Sequence, residues 1–507
     1  MKRVEPEAWE KRLAKLPLKE GGFSRELIQK VRERVEQERP PVSRNRWLRW
    51  SPAVALALVM AAGLTQTERW TEELAKLSKT REPVALEAMD RNQEHTLKVA
   101  FFQKDTFMSN YGKTFMERYP HIEVQVVQPR NQPAWSSQGS ESFEQWLEKE
   151  RPDVLALSMA DYKRLAEQGL LYDLNGVIKQ DRFDLDGFHP GVIDMLREQG
   201  NGKLYGLAPE FEQLALYYNK ELFDKYGIAY PKDGMSWEDL LQLAARFAAE
   251  GTGTKRVYGL AAGFYSEQFG LVQYAAKSKG LRFVDPSGRQ VTVDTPEWRK
   301  LFEQALDAFR QGYVYQPEPL QPGAYTTEER LKSDLFLNGQ AAMTLQGFEY
   351  MNSLEEARQR NPLSSFPWDV AKEPTDPSHP DRSSSLAVHT VFAVNAKSEH
   401  LRSAWEMVKF IHSKEAARSM ASTSPDFLST RLLGKELYKG KPVDVFYSLR
   451  PLSSPLSMET APPAFQESFY QLAVQQTKAV LGGRITLDEA LKQLQEAGQR
   501  ALIQAGE

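Results

Sequence analysis

The sequence predicts an α/β fold for most of the chain, starting near Leu97. Short apolar runs typical of strands alternate there with stretches of helical period. This alternation indicates a mostly parallel sheet with helices on both faces. The composition is globular, with 41% hydrophobic and 26% charged residues, and 507 residues suggest two or three folding units.

The first predicted elements alternate without interruption. They are a strand at 97–102, a helix at 110–120 closed by Pro120, a strand at 121–129, a helix at 141–152, a strand at 153–158 and a helix that stops at Gly169. Ligands of such sheets bind beyond the carboxyl ends of the strands. These ends are predicted at Phe102–Asp105 and Ser158–Asp161.

Later elements carry clear boundary residues. Asn219 is a predicted N-cap for the helix "KELFDKY", Gly227 its C-terminal residue, and Ser236 the cap of "WEDLLQLAARFAAE". A strand ending "VYGL", a helix–Gly–strand unit in "LKSDLFLNGQAAMTLQGFEY" and a strand–loop–helix unit from 385 follow. Two helices hinged at Gly482–Gly483, the second begun by Thr486, end the chain.

The N-terminal part differs from the rest. Residues 1–50 hold 14 Lys and Arg against eight Asp and Glu and end in "RNRWLRW", ahead of the apolar run "SPAVALALVMAAGL". We interpret 1–46 as a basic, helical cytoplasmic segment, 47–66 as a retained membrane span and 67–94 as a linker or stalk. The basic flank places everything after the span outside the membrane.

Two alternatives for the apolar run stay open. Its 14 residues reach only about 21 Å as a helix, less than a bilayer core of about 30 Å, although flanking tryptophans can extend it. A cleaved signal peptide fits the length but not a preceding segment of about fifty residues. A buried core helix is the third interpretation.

Composition and motifs argue against several classes. A net charge of −3 gives no support for nucleic acid as a partner, and the absence of cysteine removes disulfides and thiolate chemistry. "GTGTK" lacks P-loop spacing, and neither a zinc-protease helix motif nor a nucleophile elbow occurs. Asp376, His379 and Asp381 fit an exposed loop, and His389 is interpreted as a strand residue. We expect neither an enzyme nor a cofactor or metal.

Several stretches, in this order, resemble bacterial extracellular solute-binding proteins of the sugar-binding, maltose-binding-like type, the receptors of ABC importers. They are "FMERYPHIEVQVV", Pro152–Leu174, Gly202–Leu240, Phe336–Gly347, the strand and helix that follow "AVHT", and Gly482–Leu491. The resemblance covers about 95–505. It implies a two-lobed fold of the periplasmic-binding-protein type, each lobe a sheet flanked by helices, with a hinge and a central cleft.

The resemblance also implies domain bounds. The solute-binding domain is expected at 95–507, with lobe 1 at about 95–210 and 388–440. Lobe 2 is expected at about 211–387 and 441–507.

The resemblance supplies candidate ligand-binding residues. The segment after "YGLAP" passes between the lobes, and Glu212 matches an acid that maltose-binding-type members use for ligand hydroxyls; its solvated-loop alternative stays open. Local matching adds Gln103, Asp105, Ser158, Met159, Asp161, Phe264, Tyr265, Phe348, Glu349 and Tyr470. Carboxylates and amides suit hydroxyl edges, and aromatic rings suit sugar faces.

Two departures from the family pattern bear on the ligand. Glu349 stands where many relatives have tryptophan, and Leu157 stands where some maltose binders have a stacking tryptophan. A different saccharide, a polar non-sugar solute and a degenerate site are therefore alternatives to a maltose-like ligand.

The expected function is capture of a small polar solute, a carbohydrate, for ABC importer permease subunits by a protein anchored in the cell membrane with its binding domain outside. The alternative is a membrane-tethered ligand sensor whose residues 1–46 regulate a cytoplasmic partner in the manner of an anti-sigma factor.

Overall fold

A computed structural model of the chain describes most of the region after residue 84. The described residues are 85–129, 143–247, 256–262, 267–315, 326–360, 365–424, 426, 428–434, 438, 440–452 and 461–506. All of them belong to one compact unit, Glu82–Glu507. The predicted cytoplasmic segment, the predicted span and residues 67–84 of the predicted stalk lie outside them. No helix in the described ranges has the length and apolar character that crossing a bilayer requires.

The first lobe is built on a five-stranded sheet in the order β2-β1-β3-β12-β4. Its strands are β1 (His95–Ala100), β2 (Ile122–Val127), β3 (Val154–Leu157), β4 (Gly206–Leu207) and β12 (Val391–Val394). β1 is parallel to β2 and β3, as the alternation predicts. β12 runs antiparallel to both β3 and β4, because the chain enters it from the second lobe.

The second lobe has its own five-stranded sheet in the order β10-β6-β9-β7-β8. Its strands are β6 (Ala215–Asn219), β7 (Tyr258–Ala261), β8 (Val314–Tyr315), β9 (Ala341–Gln346) and β10 (Trp368–Lys372). β7 is parallel to β8 and β9, whereas β6 is antiparallel to its neighbours β9 and β10. Both sheets are thus mixed, with the antiparallel strands next to the places where the chain changes lobes.

Two short strand pairs lie outside these sheets. β5 (Glu210–Phe211) pairs antiparallel with β13 (Leu428–Ser429), and β11 (Arg382–Ser383) pairs parallel with β14 (Arg450–Pro451).

Helices flank the sheets of both lobes. Those that follow strands of the first sheet are α1 (Lys104–Phe107), α2 (Lys113–Arg118), α3 (Phe143–Glu150), α4 (Met159–Glu167), α5 (Asn175–Gln180), α6 (Pro190–Gln199), α13 (Leu401–Ile411) and α14 (Lys414–Thr423). The others are α7 (Lys220–Tyr226), α8 (Trp237–Ala245), α9 (Phe269–Ser278), α10 (Pro296–Arg310), α11 (Thr327–Ser333), α12 (Tyr350–Arg360), α15 (Pro463–Leu481) and α16 (Leu487–Gly506). A π-helical turn (Met108–Gly112) joins α1 to α2, and Asp444–Tyr447 forms a 3₁₀ turn.

The predicted helix boundaries after β6 are confirmed. The Asn219 side chain accepts a hydrogen bond from the backbone N–H of Leu222 at 3.1 Å, and Gly227 ends α7 with φ +61°. Ser236 and Asp239 form a reciprocal capping box at the start of α8. These local signals position the helices that cover the second sheet.

The side-chain alternation of β6 connects two hydrophobic cores. Ala215 and Tyr217 belong to the core that also packs the first sheet, whereas Leu216 and Tyr218 belong to the core on the other face of the second sheet. Successive strand residues point to opposite faces. Because both faces are covered, all five residues of β6 are buried.

The chain passes between the two sheets along two segments that touch. We call Ala208–Leu214, between β4 and β6, the first crossover, and Glu373–Thr390, between β10 and β12, the second crossover. Glu212 and Ala387 exchange two backbone hydrogen bonds of 2.9 Å. The backbone N–H of Leu214 donates to Ser385 Oγ at 2.8 Å. These two connections between the lobes are therefore hydrogen-bonded to each other.

A buried carboxyl group organises the second crossover. Glu373 is 2% exposed and accepts hydrogen bonds from the hydroxyl groups of Ser383 and Ser384. The Ser383 hydroxyl in turn accepts from the backbone N–H of Leu386 at 2.8 Å. Burial raises the pKa of Glu373, and hydrogen bonds from Ser383 and Ser385 oppose the shift. The network gives the second crossover the shape that places Ser385 against the first.

Replacing Ser385 with alanine should destabilise the unliganded protein by about 1–3 kcal/mol, because the buried N–H of Leu214 loses its acceptor. Urea unfolding of the full chain measures this loss. Ser422→Ala, on the exposed face of α14, is the matched control and should change stability by less than about 0.5 kcal/mol. Equal effects of the two substitutions would contradict the role assigned to Ser385.

Candidate functional site

The predicted acid Glu212 meets a histidine where the two crossovers pair. Its Oε2 lies 2.8 Å from Nε2 of His389 on the second crossover. The side chains of Glu212 and His389 remain 71% and 60% exposed. The backbone of Glu212 is thus held by Ala387 while its carboxylate stays accessible to solvent.

The contact moves the pKa of both groups in the direction that favours charge. The hydrogen bond with His389 lowers the pKa of Glu212, although desolvation opposes it. The same bond raises the pKa of His389, with the charge of Glu210 adding to the effect. At neutral pH the site therefore presents an ionised carboxylate, which accepts hydrogen bonds on both oxygens.

Glu210 lies in a more desolvated position on the first crossover. Burial raises the pKa of its carboxyl group, the charge of His389 opposes this and that of Glu212 adds to it. Tyr111, in the π-helical turn, lies close enough to respond: burial and then the Glu210 charge raise its pKa. The two acids of the first crossover thus differ in protonation tendency because their exposure differs.

The second lobe contributes two groups near Glu212. The Glu349 carboxyl folds back over Gly347, where a Cβ would collide with it. Desolvation there raises the pKa of Glu349, and the charges of Glu212 and Asp426 add to the shift. Burial, and then the charges of Glu373 and Glu212, raise the pKa of Tyr274 on α9. The structure thus brings Glu212 and Glu349 of the predicted set together.

The predicted residues after β3 form a helix cap. Ser158 caps α4 by accepting from the backbone N–H of Asp161 at 3.1 Å, and its hydroxyl donates to Asp161 Oδ2 at 2.7 Å. Arg164 donates to Oδ1 of Asp161 at 2.7 Å. Asp161 is only 5% exposed, so both of its oxygens are engaged within the lobe. Met159 is the first residue of α4 and is partly exposed.

The predicted residues after β1 lie at the exposed start of α1. The hydroxyl of Thr106 donates to Gln103 Oε1 at 2.9 Å, and Asp105 lies in the first turn. Phe102, directly before them, is 46% exposed and stacks on the buried Phe101 with ring centroids 4.4 Å apart. This edge therefore presents amide, carboxylate and aromatic groups together.

The remaining predicted residues are dispersed. Phe348 is 3% exposed and packs edge-on against Tyr438 and Phe446, so its ring belongs to the core. Tyr470 lies on α15 with its ring 5.8 Å from that of Phe269, at the start of α9. Phe264 and Tyr265 lie outside the described residues.

The interpretation of His389 as a strand residue is wrong. His389 lies two residues before β12, in the second crossover. β12 is antiparallel to β3 with Val391 opposite Leu157, so residues that precede β12 share the sheet edge with residues that follow β3. The sequence analysis did not identify His389 and Tyr274 as neighbours of Glu212, and it named Phe102 only as the end of a predicted strand. His389 could have been identified only by knowing that β12 runs antiparallel to β3, and the alternation of strands and helices in the sequence does not show that direction.

Comparison with known proteins identifies a family. The model of the bacterial extracellular solute-binding protein family matches residues 103–418, more than half of the chain. The matched range contains both crossovers and every strand of the two five-stranded sheets except β1.

Individual relatives are distant in sequence. A binding protein of Brucella abortus is 26% identical over 283 residues, which are 53% of this chain and 62% of that protein. The mannitol-binding protein of Pseudomonas aeruginosa is 25% identical over 243 residues, 46% of this chain and 50% of that protein. This chain thus spans less than two thirds of the length of each.

A solved structure shares the fold. The sugar-binding protein MalE from Xanthomonas citri superposes with a TM-score of 0.58, covering 81% of this chain and 98% of that one, at 16% identity. Two mixed sheets joined by paired crossovers are the two-lobed architecture of such proteins. With a family match over more than half of its length, this chain belongs to the bacterial extracellular solute-binding proteins.

Proposed function

We propose that the protein captures a small polar solute, a carbohydrate or sugar alcohol, outside the cytoplasm and presents it to the permease of an ABC importer. The observation that carries the proposal is the exposed, ionised Glu212 carboxylate at the junction of the two crossovers. A carboxylate held there contacts a ligand between the lobes and can accept hydrogen bonds from its hydroxyl groups.

The relatives support a polyhydroxylated ligand. One is named for mannitol and the fold neighbour is a sugar-binding protein. Binding, as opposed to catalysis, is the role of the family to which the chain belongs. The family match gives no support to the alternative of a regulatory sensor.

The site chemistry suits such a ligand. Glu212 offers a charged acceptor, and Phe102 offers an exposed ring supported from behind by Phe101. Rings of this kind stack on the apolar faces of sugars. Glu349 replaces a flat stacking surface of the maltose-binding type with a carboxyl group, which favours a ligand with more hydrogen-bonding groups and less stacked area than maltose.

Importer delivery and membrane attachment complete the proposal. Closure of two lobes on a ligand is a population shift, driven by the better contacts that the ligand makes in the closed state. A permease can then recognise the closed conformation. A retained span at 47–66 would keep the domain at the membrane surface.

A thermal-shift screen of the full chain tests the ligand class. A bound sugar at one hundred times its Kd should stabilise the native state by about 2.7 kcal/mol and raise the Tm. The panel contains mannitol, maltose, glucose and trehalose, with amino acids as the control class. A rise with amino acids and none with any sugar would contradict the proposal.

Replacing Glu212 with alanine should raise the Kd of the sugar that binds by about tenfold to a hundredfold, the effect of losing one charge-assisted hydrogen bond. The Tm without ligand should stay nearly constant, since exposed ion pairs contribute little. Titration calorimetry and thermal unfolding separate the two effects. Glu399→Ala, an exposed acid beside α13, is the control. Equal losses of binding and stability would make Glu212 structural.

Replacing Phe102 with alanine should raise the same Kd by about threefold to tenfold, because the stacking surface is lost. Ile503→Ala, a similarly exposed apolar residue on α16, should leave the Kd unchanged. Calorimetry on both variants checks this. Indistinguishable affinities for the Phe102 variant and the unaltered protein would remove Phe102 from the site.

A further inference from the structure

The contact between His389 and Glu212 joins side chains whose backbones are already paired. Glu212 exchanges two backbone hydrogen bonds with Ala387, two residues before His389. The next bond along, from the N–H of Leu214 to Ser385 Oγ, fixes the same register. The crossovers therefore hold the two residues within reach of each other, and Nε2 lies 2.8 Å from Oε2.

The two oxygens of the Glu212 carboxylate have different surroundings. Oε2 of Glu212 is taken by the His389 ring, and Oε1 accepts no hydrogen bond from any residue in the described ranges. A carboxylate restrained at one oxygen has lost rotational freedom before the ligand arrives. Preorganisation of this kind improves affinity without adding a contact to the ligand.

The strength of the attraction between Glu212 and His389 depends on their exposure, which differs between the ligand-free and the ligand-bound protein. While Glu212 and His389 are 71% and 60% exposed, water screens their attraction and the pair contributes little to folding. Enclosure of the pair between lobes and ligand would lower the local dielectric and strengthen the attraction. The pair therefore matters more to the liganded protein than to the empty one.

Other titratable groups surround the pair, and their effects on the pH dependence must be distinguished from the effect of His389. They come from the first crossover, the π-helical turn, α9 and the turn after β9 and are Glu210, Tyr111, Tyr274 and Glu349. Burial raises the pKa values of the two additional acids. The pH dependence that Glu349 causes persists when His389 is replaced, whereas the pKa of Glu210 loses the lowering effect of the His389 charge.

We propose that His389 is a positioning residue of the ligand site: its Nε2–H holds Oε2 of Glu212 so that Oε1 faces the ligand, and its charge makes ligand affinity depend on pH. This inference rests on the proposed function. The imidazolium is present below the raised pKa of His389 and is lost as the pH rises through that pKa. Affinity should fall in the same range, because the pair then loses its charge attraction.

The test compares three full-length chains by calorimetry with the panel sugar that gives the largest Tm rise, between about pH 6 and about pH 9. For the unaltered protein we expect the Kd to rise about threefold to tenfold across this range. His389→Gln keeps an amide donor without a titrating charge, so its Kd should lie near the high-pH value throughout. His389→Ala should weaken binding further, by about tenfold at the lower pH.

The matched control is His379→Gln, a histidine in the same crossover that is exposed and contacts Ser378, away from Glu212. It should retain the full pH profile. The Tm of all ligand-free variants should be alike.

The outcomes separate the two proposals. Equal Kd values and pH profiles for His389→Gln and the unaltered protein would overturn the positioning role while leaving sugar capture intact. An unaltered protein that binds no sugar of the panel would overturn sugar capture and this inference with it. A fall in Tm that accounts for the whole change in Kd would make His389 structural.

Discussion

The paired crossovers are the constraint on which the rest of the structure depends. Two segments that leave different sheets run side by side, and their buried backbone groups must find partners. Glu212 and Ala387 satisfy each other, and Ser385 satisfies Leu214. This pairing holds the backbone at the junction of the lobes while leaving the side chains of Glu212 and His389 exposed. A rigid backbone with accessible polar groups is what a binding site between two lobes needs.

The electrostatics of the junction follow from that arrangement. The backbone path places Glu210 and Glu349 close enough to Glu212 for its charge to raise their pKa values. The pKa values of neighbouring carboxyl groups differ because each group differs in its burial and in its hydrogen-bond partners. Glu212, with its histidine, keeps the lowered pKa, whereas the two more desolvated acids hold their protons more readily. The site can thus offer a strong acceptor beside carboxyl groups nearer to a donating state, a combination suited to hydroxyl groups, which both donate and accept.

Local pattern predicted well whatever depends on neighbours in sequence. The strands β1, β2 and β3 and the caps Asn219 and Ser236 are where their residues indicate, because strand alternation and capping act over a few residues. The same locality explains a limit of the site prediction. Ser158 and Asp161 follow a strand, as ligand-binding residues of such sheets do, yet their hydrogen bonds go to each other and to Arg164. One short polar pattern serves a helix cap and a ligand equally well.

By itself, the sequence determined the α/β class, the order of the early elements, the family resemblance and the place of Glu212 between the lobes. Only the tertiary structure decided that His389 is the partner of Glu212, 177 positions away in the chain, and that Phe348 lies in the core. The first depends on the entry of the chain into β12 antiparallel to β3, which brings the second crossover back beside the first. The second depends on Tyr438 and Phe446, which pack against the Phe348 ring. Such a pairing arises from the packing of whole sheets, and neither helical period nor strand alternation records it.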